Sequence, residues 1–227
     1  MSPTRTQTRA NYDRLSRWYD LLSGGAERAL REAGLRELAV REGERVLEIG
    51  AGTGAALVEL AQAAGPAGLA VGVDLSIGMC RETELRIANL RLRIEAPVRS
   101  AIICADAEQL PVTQSFFDAV FVSFALELFD EGDMRAVLAE CRRVLRPGGR
   151  LCVVAMAVPD RPTPMTRLYA WAHRRFPVAI DCRPIAVSQA LAQGGFQAEG
   201  LARHSVWGLP VEIALARAER IAREEPP

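Results

Sequence analysis

The sequence predicts a single α/β domain: a doubly wound sheet of seven strands, mostly parallel with an antiparallel C-terminal strand, and helices on both faces. Three observations carry this. The 227 residues suit one domain with a substantial core. From Arg45 to Ala155 short apolar runs alternate with helical segments, the pattern of a parallel sheet covered on both sides. The chain then closes with two strand-like runs around a Gly208-Leu209-Pro210 break, which reads as an antiparallel pair.

Taken in order, Tyr12, Leu15, Tyr19 and Leu22 recur at helical spacing, Gly24-Gly25 interrupts, and a second helix runs through Leu30, Leu35 and Leu38. Residues 1–42 are therefore expected to supply two helices ahead of the sheet. The candidate strands are Arg45 to Ile49, Leu69 to Asp74, Ala101 to Cys104, Phe117 to Ser123 and Gly149 to Ala155, within a core of residues 43–157. The clearest helix places Met134, Val137, Leu138, Cys141, Val144 and Leu145 on one face and is stopped by Pro147-Gly148-Gly149. Residues 158–227 are expected to add helices from Thr166 to Phe176 and Ile185 to Gln193, then strands around Phe196 to His204 and Val211 to Ala216. No internal repeat or low-complexity block divides the chain.

Composition removes several functions. The 28 basic and 28 acidic residues cancel, so no global field draws the chain to nucleic acid. All the basic residues are arginine; without lysine there is no P-loop lysine, no pyridoxal Schiff base and no lysine-dependent short-chain dehydrogenase. Cys80, Cys104, Cys141, Cys152 and Cys182 lack CxxC spacing and read as structural thiols, with no metal expected. Neither a signal-type apolar run nor a segment near the ~20 apolar residues of a membrane span is present, so a cytoplasmic location is expected.

The segment with most chemical content is VLEIGAGTG, Val46 to Gly54: a buried strand runs into three glycines at alternate positions and then into a helix. Glycines there let backbone approach a ligand and leave the helix N-terminal amides facing it. Gly50, Gly52 and Ala55 also satisfy the dinucleotide pattern G-x-G-x-x-G/A, so the turn alone leaves the ligand open. Glu48 separates the readings, because an acid beside the turn would oppose a pyrophosphate but hold an ammonium. Asp74 ends the next strand about twenty residues on, as expected for an acid accepting ribose hydroxyls in either case.

Four segments in this order resemble the class I S-adenosylmethionine-dependent methyltransferases, a Rossmann-like superfamily: VLEIGAGTG; VDLSIGM, Val73 to Met79; ADAEQLPVTQSFFDAVFVSFALELF, Ala105 to Phe129; and RVLRPGGRLCVVAM, Arg143 to Met156. The resemblance runs from about Tyr12 to Ala216. It implies that Glu48 and Gly50, Ala51, Gly52, Thr53 and Gly54 hold the methionine part of S-adenosylmethionine and that Asp74 holds its ribose. It further implies Leu75 and Met79 at the adenine rim, Asp106 on the adenine amino group with Ala107 beside it, and Ser123 at the end of the fourth strand. Tyr19, in YDRLSRWYD, resembles a tyrosine that covers the cofactor in relatives.

Within the superfamily the sequence is most similar to the ubiquinone/menaquinone C-methyltransferases, through YDLLS, DAEQLP and RVLRPGGRL. It departs from them after the fourth strand. Where those enzymes carry a phenylalanine-glycine-leucine-arginine-asparagine run, this chain has Phe124-Ala125-Leu126-Glu127-Leu128, which puts a quinol substrate in doubt. Methyl transfer needs alignment more than a catalytic group; if the acceptor needs a base, Glu127 ranks first by position, ahead of His173, His204 and Asp181. The acceptor is expected to be small and apolar, quinol-like or lipid-like. The stretch from Met165 to Phe176, with Leu168, Tyr169 and Trp171 among arginines, suits a lid over such a molecule or a peripheral membrane contact. A phospholipid or secondary-metabolite methyltransferase, a non-catalytic cofactor-binding protein and a nicotinamide oxidoreductase are the alternatives.

Overall fold

The computed structural model describes residues 19–94, 97–175 and 182–218, and of residues 19–24 only the backbone. Helix α1 (Tyr19–Leu38) leads into β1 (Arg45–Ile49), α2 (Ala55–Ala64), β2 (Leu69–Asp74), α3 (Ile77–Arg91), β3 (Ser100–Cys104) and β4 (Phe117–Ser123). A 3-10 turn (Leu126–Leu128) then precedes α4 (Glu131–Val144), β5 (Leu145–Met156), α5 (Pro164–Arg175), α6 (Val187–Gln193), β6 (Phe196–Val206) and β7 (Leu209–Ala218). The strands form one seven-stranded sheet among the described residues, in the order β3-β2-β1-β4-β5-β7-β6. β1 to β5 are parallel, and β7 runs antiparallel to both β5 and β6.

The central strands are apolar throughout because both their faces are covered. Val46, Ala119 and Phe121 join Leu30, Leu57, Leu60 and Ile87 in one core layer, under α1, α2 and α3. The alternate residues Leu47, Val120 and Val122 join Val137, Leu138 and Leu191 in the other, under α4 and α6. Chain order reverses between β1 and β4, which opens a crevice at their carboxyl ends.

Three expectations need correcting. Helix α1 runs through Gly24-Gly25 without a break; glycine costs a helix roughly 1 kcal/mol relative to alanine, less than burying Leu30 and Leu38 returns at roughly 1.5–3 kcal/mol each. Tyr12 and Leu15 lie outside the described residues. Second, β5 begins at Leu145 rather than Gly149, and Pro147-Gly148-Gly149 forms an irregularity where the register shifts between Phe117↔Leu145 and Ala119↔Arg150. Third, the C-terminal turn lies at Trp207-Gly208, ahead of the Gly208-Leu209-Pro210 break. Both residues have positive φ, 51° and 80°, which suits a two-residue hairpin, and Leu209 and Pro210 already belong to β7.

Helix α1 is fixed tightly to the sheet. A Cβ on Gly34 would stand 2.4 Å from Val154 Cγ2, so only glycine allows this approach. At its C-terminal end Arg150 of β5 donates to the Leu38 and Ala39 carbonyls, at 2.6 and 2.8 Å, and to both Glu44 oxygens, at 2.9 and 2.6 Å. One guanidinium thus satisfies carbonyls that the helix end leaves without partners and ties α1 to the approach to β1. No helix among the described residues is long and apolar enough to cross a membrane.

Candidate functional site

The site is built at the carboxyl ends of β1 and β2. Gly50 and Ala51 donate their amides to the Val73 carbonyl at 2.8 and 3.1 Å, which turns the chain across the top of β2. Gly50, Gly52 and Gly54 all have positive φ, 69°, 54° and 80°. Their surroundings differ: a Cβ on Gly50 would meet Ala125 Cβ at 2.4 Å and one on Gly54 would meet Thr83 Cγ2 at 2.6 Å, whereas Gly52 has nothing within 4 Å. The side of Gly52 where a Cβ would project is open. Ala51 and Thr53 are buried in the turn.

Asp74 faces that space. Its Oδ2 accepts from the Gly52 amide at 2.8 Å and its Oδ1 from the Ser76 amide at 2.8 Å, so the carboxylate is oriented by the loops on either side of it. Ser76 caps α3 by accepting from the Met79 amide at 3.1 Å. Leu75 is half-buried, while Met79 is only 1% exposed. Asp106 is partly exposed after β3 and accepts from the Glu108 amide at 3.0 Å, with Ala107 buried beside it. Ser123 closes β4, level with Val154 of β5, and is half-buried.

Glu48 lies on the same side of β1 as Val46, toward α1 and α2. It is 3% exposed, its Oε2 has no hydrogen-bond partner, and burial pushes its carboxyl well above the usual range against the opposing pull of Arg31. Arg31, on α1, likewise has a buried Nε without a partner and reaches Glu59 only at 3.9 Å. An unpartnered carboxyl oxygen on Glu48 and an unpartnered Nε on Arg31, on neighbouring elements, suit the two ends of a zwitterion, and these residues fit S-adenosylmethionine.

Several of these residues carry no pattern in the sequence. Thr83, fully buried in α3, donates to the Gly52 carbonyl at 2.8 Å and backs Gly54. Phe124, with φ 51°, donates its amide to the Val154 carbonyl at 2.8 Å and swings the chain off β4. One turn before Arg31, burial lifts the Glu27 carboxyl to about 7. Helical spacing along α1 was the only signal for Arg31 and Glu27, and it marks a face without a role.

Of the candidate bases, Glu127 is fully buried in the turn after β4, and its Oε1 accepts from the Met156 amide at 3.1 Å. His173 is half-buried on α5 and lines a cavity of about 390 Å³ beside Met156, whereas His204 is exposed on β6. Asp181 and the side chain of Tyr19 lie outside the described residues. Met165, Leu168 and Trp171 make an exposed stripe on α5.

Residues 46–149 match the family model described as a methyltransferase domain. The ubiquinone/menaquinone biosynthesis C-methyltransferase UbiE of Burkholderia vietnamiensis is 39% identical over 145 residues, 64% of this chain and 55% of the relative. The chain thus spans little more than half the length of that relative. The 1,6-didemethyltoxoflavin-N1-methyltransferase of Burkholderia thailandensis, solved with S-adenosylhomocysteine, superposes with a TM-score of 0.67 at 18% identity, covering 97% of this chain and 92% of that one. The [4+2]-cyclase SpnF superposes with a TM-score of 0.73 at 19% identity, covering 96% and 97%. The fold is shared with these solved structures, and residues 46–149 are similar in sequence to a methyltransferase domain. Over that stretch the sequence is similar to the ubiquinone/menaquinone C-methyltransferases.

Proposed function

We propose that this protein binds S-adenosylmethionine and transfers its methyl group to a small apolar acceptor. The observation that carries the proposal is the open face of Gly52 set between the oriented carboxylate of Asp74 and the orphaned, buried oxygen of Glu48. When bound, S-adenosylmethionine would supply a methyl group on a sulfonium, open to in-line attack by the acceptor with S-adenosylhomocysteine as the leaving group. The chain's own residues hold and align: Glu48 and Arg31 the amino-acid end, Gly50 to Gly54 the methionine chain, Asp74 the ribose, and Leu75, Asp106 and Ala107 the adenine side. Ser123 borders the crevice at the end of β4. Met79 supports the adenine wall from within. Glu127 remains the candidate proton acceptor, held in place through Met156.

The nearness to the quinone-biosynthesis enzymes supports a quinol-like or lipid-like acceptor. The acid at Glu127, where those enzymes carry arginine, stops the reading at the class of apolar acceptor. Calorimetric titration with S-adenosylmethionine, S-adenosylhomocysteine and NADH tests the cofactor: micromolar binding of the first two alone is expected, and binding of NADH alone would overturn the proposal. The cyclase on the same fold makes turnover a separate question, answered by methyl transfer from labelled cofactor to a quinol and lipid panel.

Glu48 gives a pH signature. Because burial raises its carboxyl, it contributes stability below the carboxyl's unfolded value that is lost as pH rises through the folded one. Glu48→Gln is expected to raise the melting temperature of the ligand-free protein at pH 7.5 by roughly 3–6 °C, with no gain at pH 4. The same variant is expected to bind S-adenosylhomocysteine at least about tenfold more weakly but 5′-methylthioadenosine, which lacks the amino-acid end, unchanged. Equal losses for both ligands would remove Glu48 from the ammonium site.

The exposed Met165-Leu168-Trp171 stripe, beside Arg175 on the same helix, supports a peripheral contact with an anionic bilayer. Co-sedimentation with phosphatidylglycerol vesicles, lost in Leu168→Glu/Trp171→Glu and absent with phosphatidylcholine, is the expected result.

A further inference from the structure

The cavity beneath α5 has a construction of its own. Met156 and Ala157 at the end of β5 form its floor with Pro184, Leu209 and Pro210, and α5 forms its roof. The roof is pinned on both sides. Tyr169 donates its hydroxyl to the Cys182 carbonyl at 2.7 Å, and the hairpin glycine Gly208 lies where a Cβ would touch Met165 at 3.5 Å. One wall is the segment after Cys182, which pairs with the end of β5 through Ile185 N to Met156 O at 2.9 Å and Val158 N to Ile185 O at 3.2 Å. The floor residue Met156 is also the one that holds Glu127, so the cavity begins on the strand next to Ser123 of β4 and two strands from the turn at Gly50.

The lining is apolar, but Arg167 and Arg174 stand at its edge. Neither forms an ion pair among the described residues. Among the described residues, the nearby acids Asp160 and Glu212 are both bound by Arg203, the latter at 2.5 Å. Two guanidinium groups over an apolar floor, without an ion-pair partner among the described residues, favour a ligand that combines an apolar body with an anionic group. At about 390 Å³ the cavity lies in the range of small-molecule sites.

We propose that this cavity is the acceptor pocket and that Arg167 and Arg174 select acceptors carrying an anionic group on an apolar, ring-sized body. The assignment rests on the methyltransferase reading for the word acceptor, but not for the binding itself. It is tested on the full chain by titrating 2-naphthoate and its neutral isostere 2-naphthamide, with and without saturating S-adenosylhomocysteine. Expected is binding of the carboxylate at least tenfold tighter than of the amide. In Arg167→Met/Arg174→Met that preference falls to about onefold, while affinity for the amide and for S-adenosylhomocysteine stays at the wild-type level. Both arginines are exposed and unpaired among the described residues, so the variant keeps the fold. Equal affinity for the two probes, a preference that survives the double substitution, or no binding of either probe overturns the pocket. Failure of S-adenosylhomocysteine to bind while the naphthoate preference holds would instead overturn the cofactor reading and leave the anion pocket standing.

Discussion

Replacing Asp74 with alanine is expected to weaken S-adenosylhomocysteine binding by at least about 100-fold, measured by calorimetry. Hydrogen bonds to a charged group contribute roughly 1.5–3 kcal/mol each, so losing both ribose contacts amounts to roughly 3–6 kcal/mol. The same substitution releases the Gly52 and Ser76 amides from the carboxylate, which loosens the loop as well. Gly52→Val separates the two effects. It leaves Asp74 in place and meets no neighbour, but its side chain fills the space beside the carboxylate. Binding is expected to disappear in this variant too, with a stability loss limited to the roughly 1–3 kcal/mol of a positive φ in a branched residue. Normal binding by both variants would move the cofactor site elsewhere.

The second large effect falls on folding. Gly50→Val combines the same positive-φ strain with a collision, since even its Cβ would lie 2.4 Å from that of Ala125. Strain of roughly 1–3 kcal/mol and overpacking of a similar size sum to about 2–6 kcal/mol. For a chain of this length each kcal/mol lowers the melting temperature by roughly 2–4 °C, so a drop of roughly 5–20 °C is expected. A melting temperature within 2 °C of wild type would contradict the close approach of the glycine turn to the segment after β4. Gly50 and Gly52 thus differ within one turn: a Cβ on the first meets Ala125, and one on the second meets open space.

Sequence by itself determined the sheet and most of the crevice. β1, β2 and β4 are apolar runs bounded by charged or glycine-rich turns, and a strand covered on both faces leaves that signal with sharp ends. The glycine turn and Asp74 were legible for a related reason: backbone that bends with positive φ toward a ligand restricts residue type locally, within a few positions of the chain. Glu48 was legible as a charge in an apolar strand.

Tertiary structure alone decided the rest, because those contacts join residues far apart in the chain. Arg31 is one arginine among many until α1 docks through Gly34 and brings it over β1. Thr83 is an ordinary helical residue until α3 places it behind Gly54. The break expected at Gly24-Gly25 yields to the docking of α1, since packing free energy outweighs a local helix penalty. The position of the last turn depends on hairpin geometry at Trp207-Gly208 rather than on the proline that follows. The cavity under α5 is drawn from three separated segments, 156–174, the wall at Pro184 and the start of β7, and only their convergence makes it a pocket.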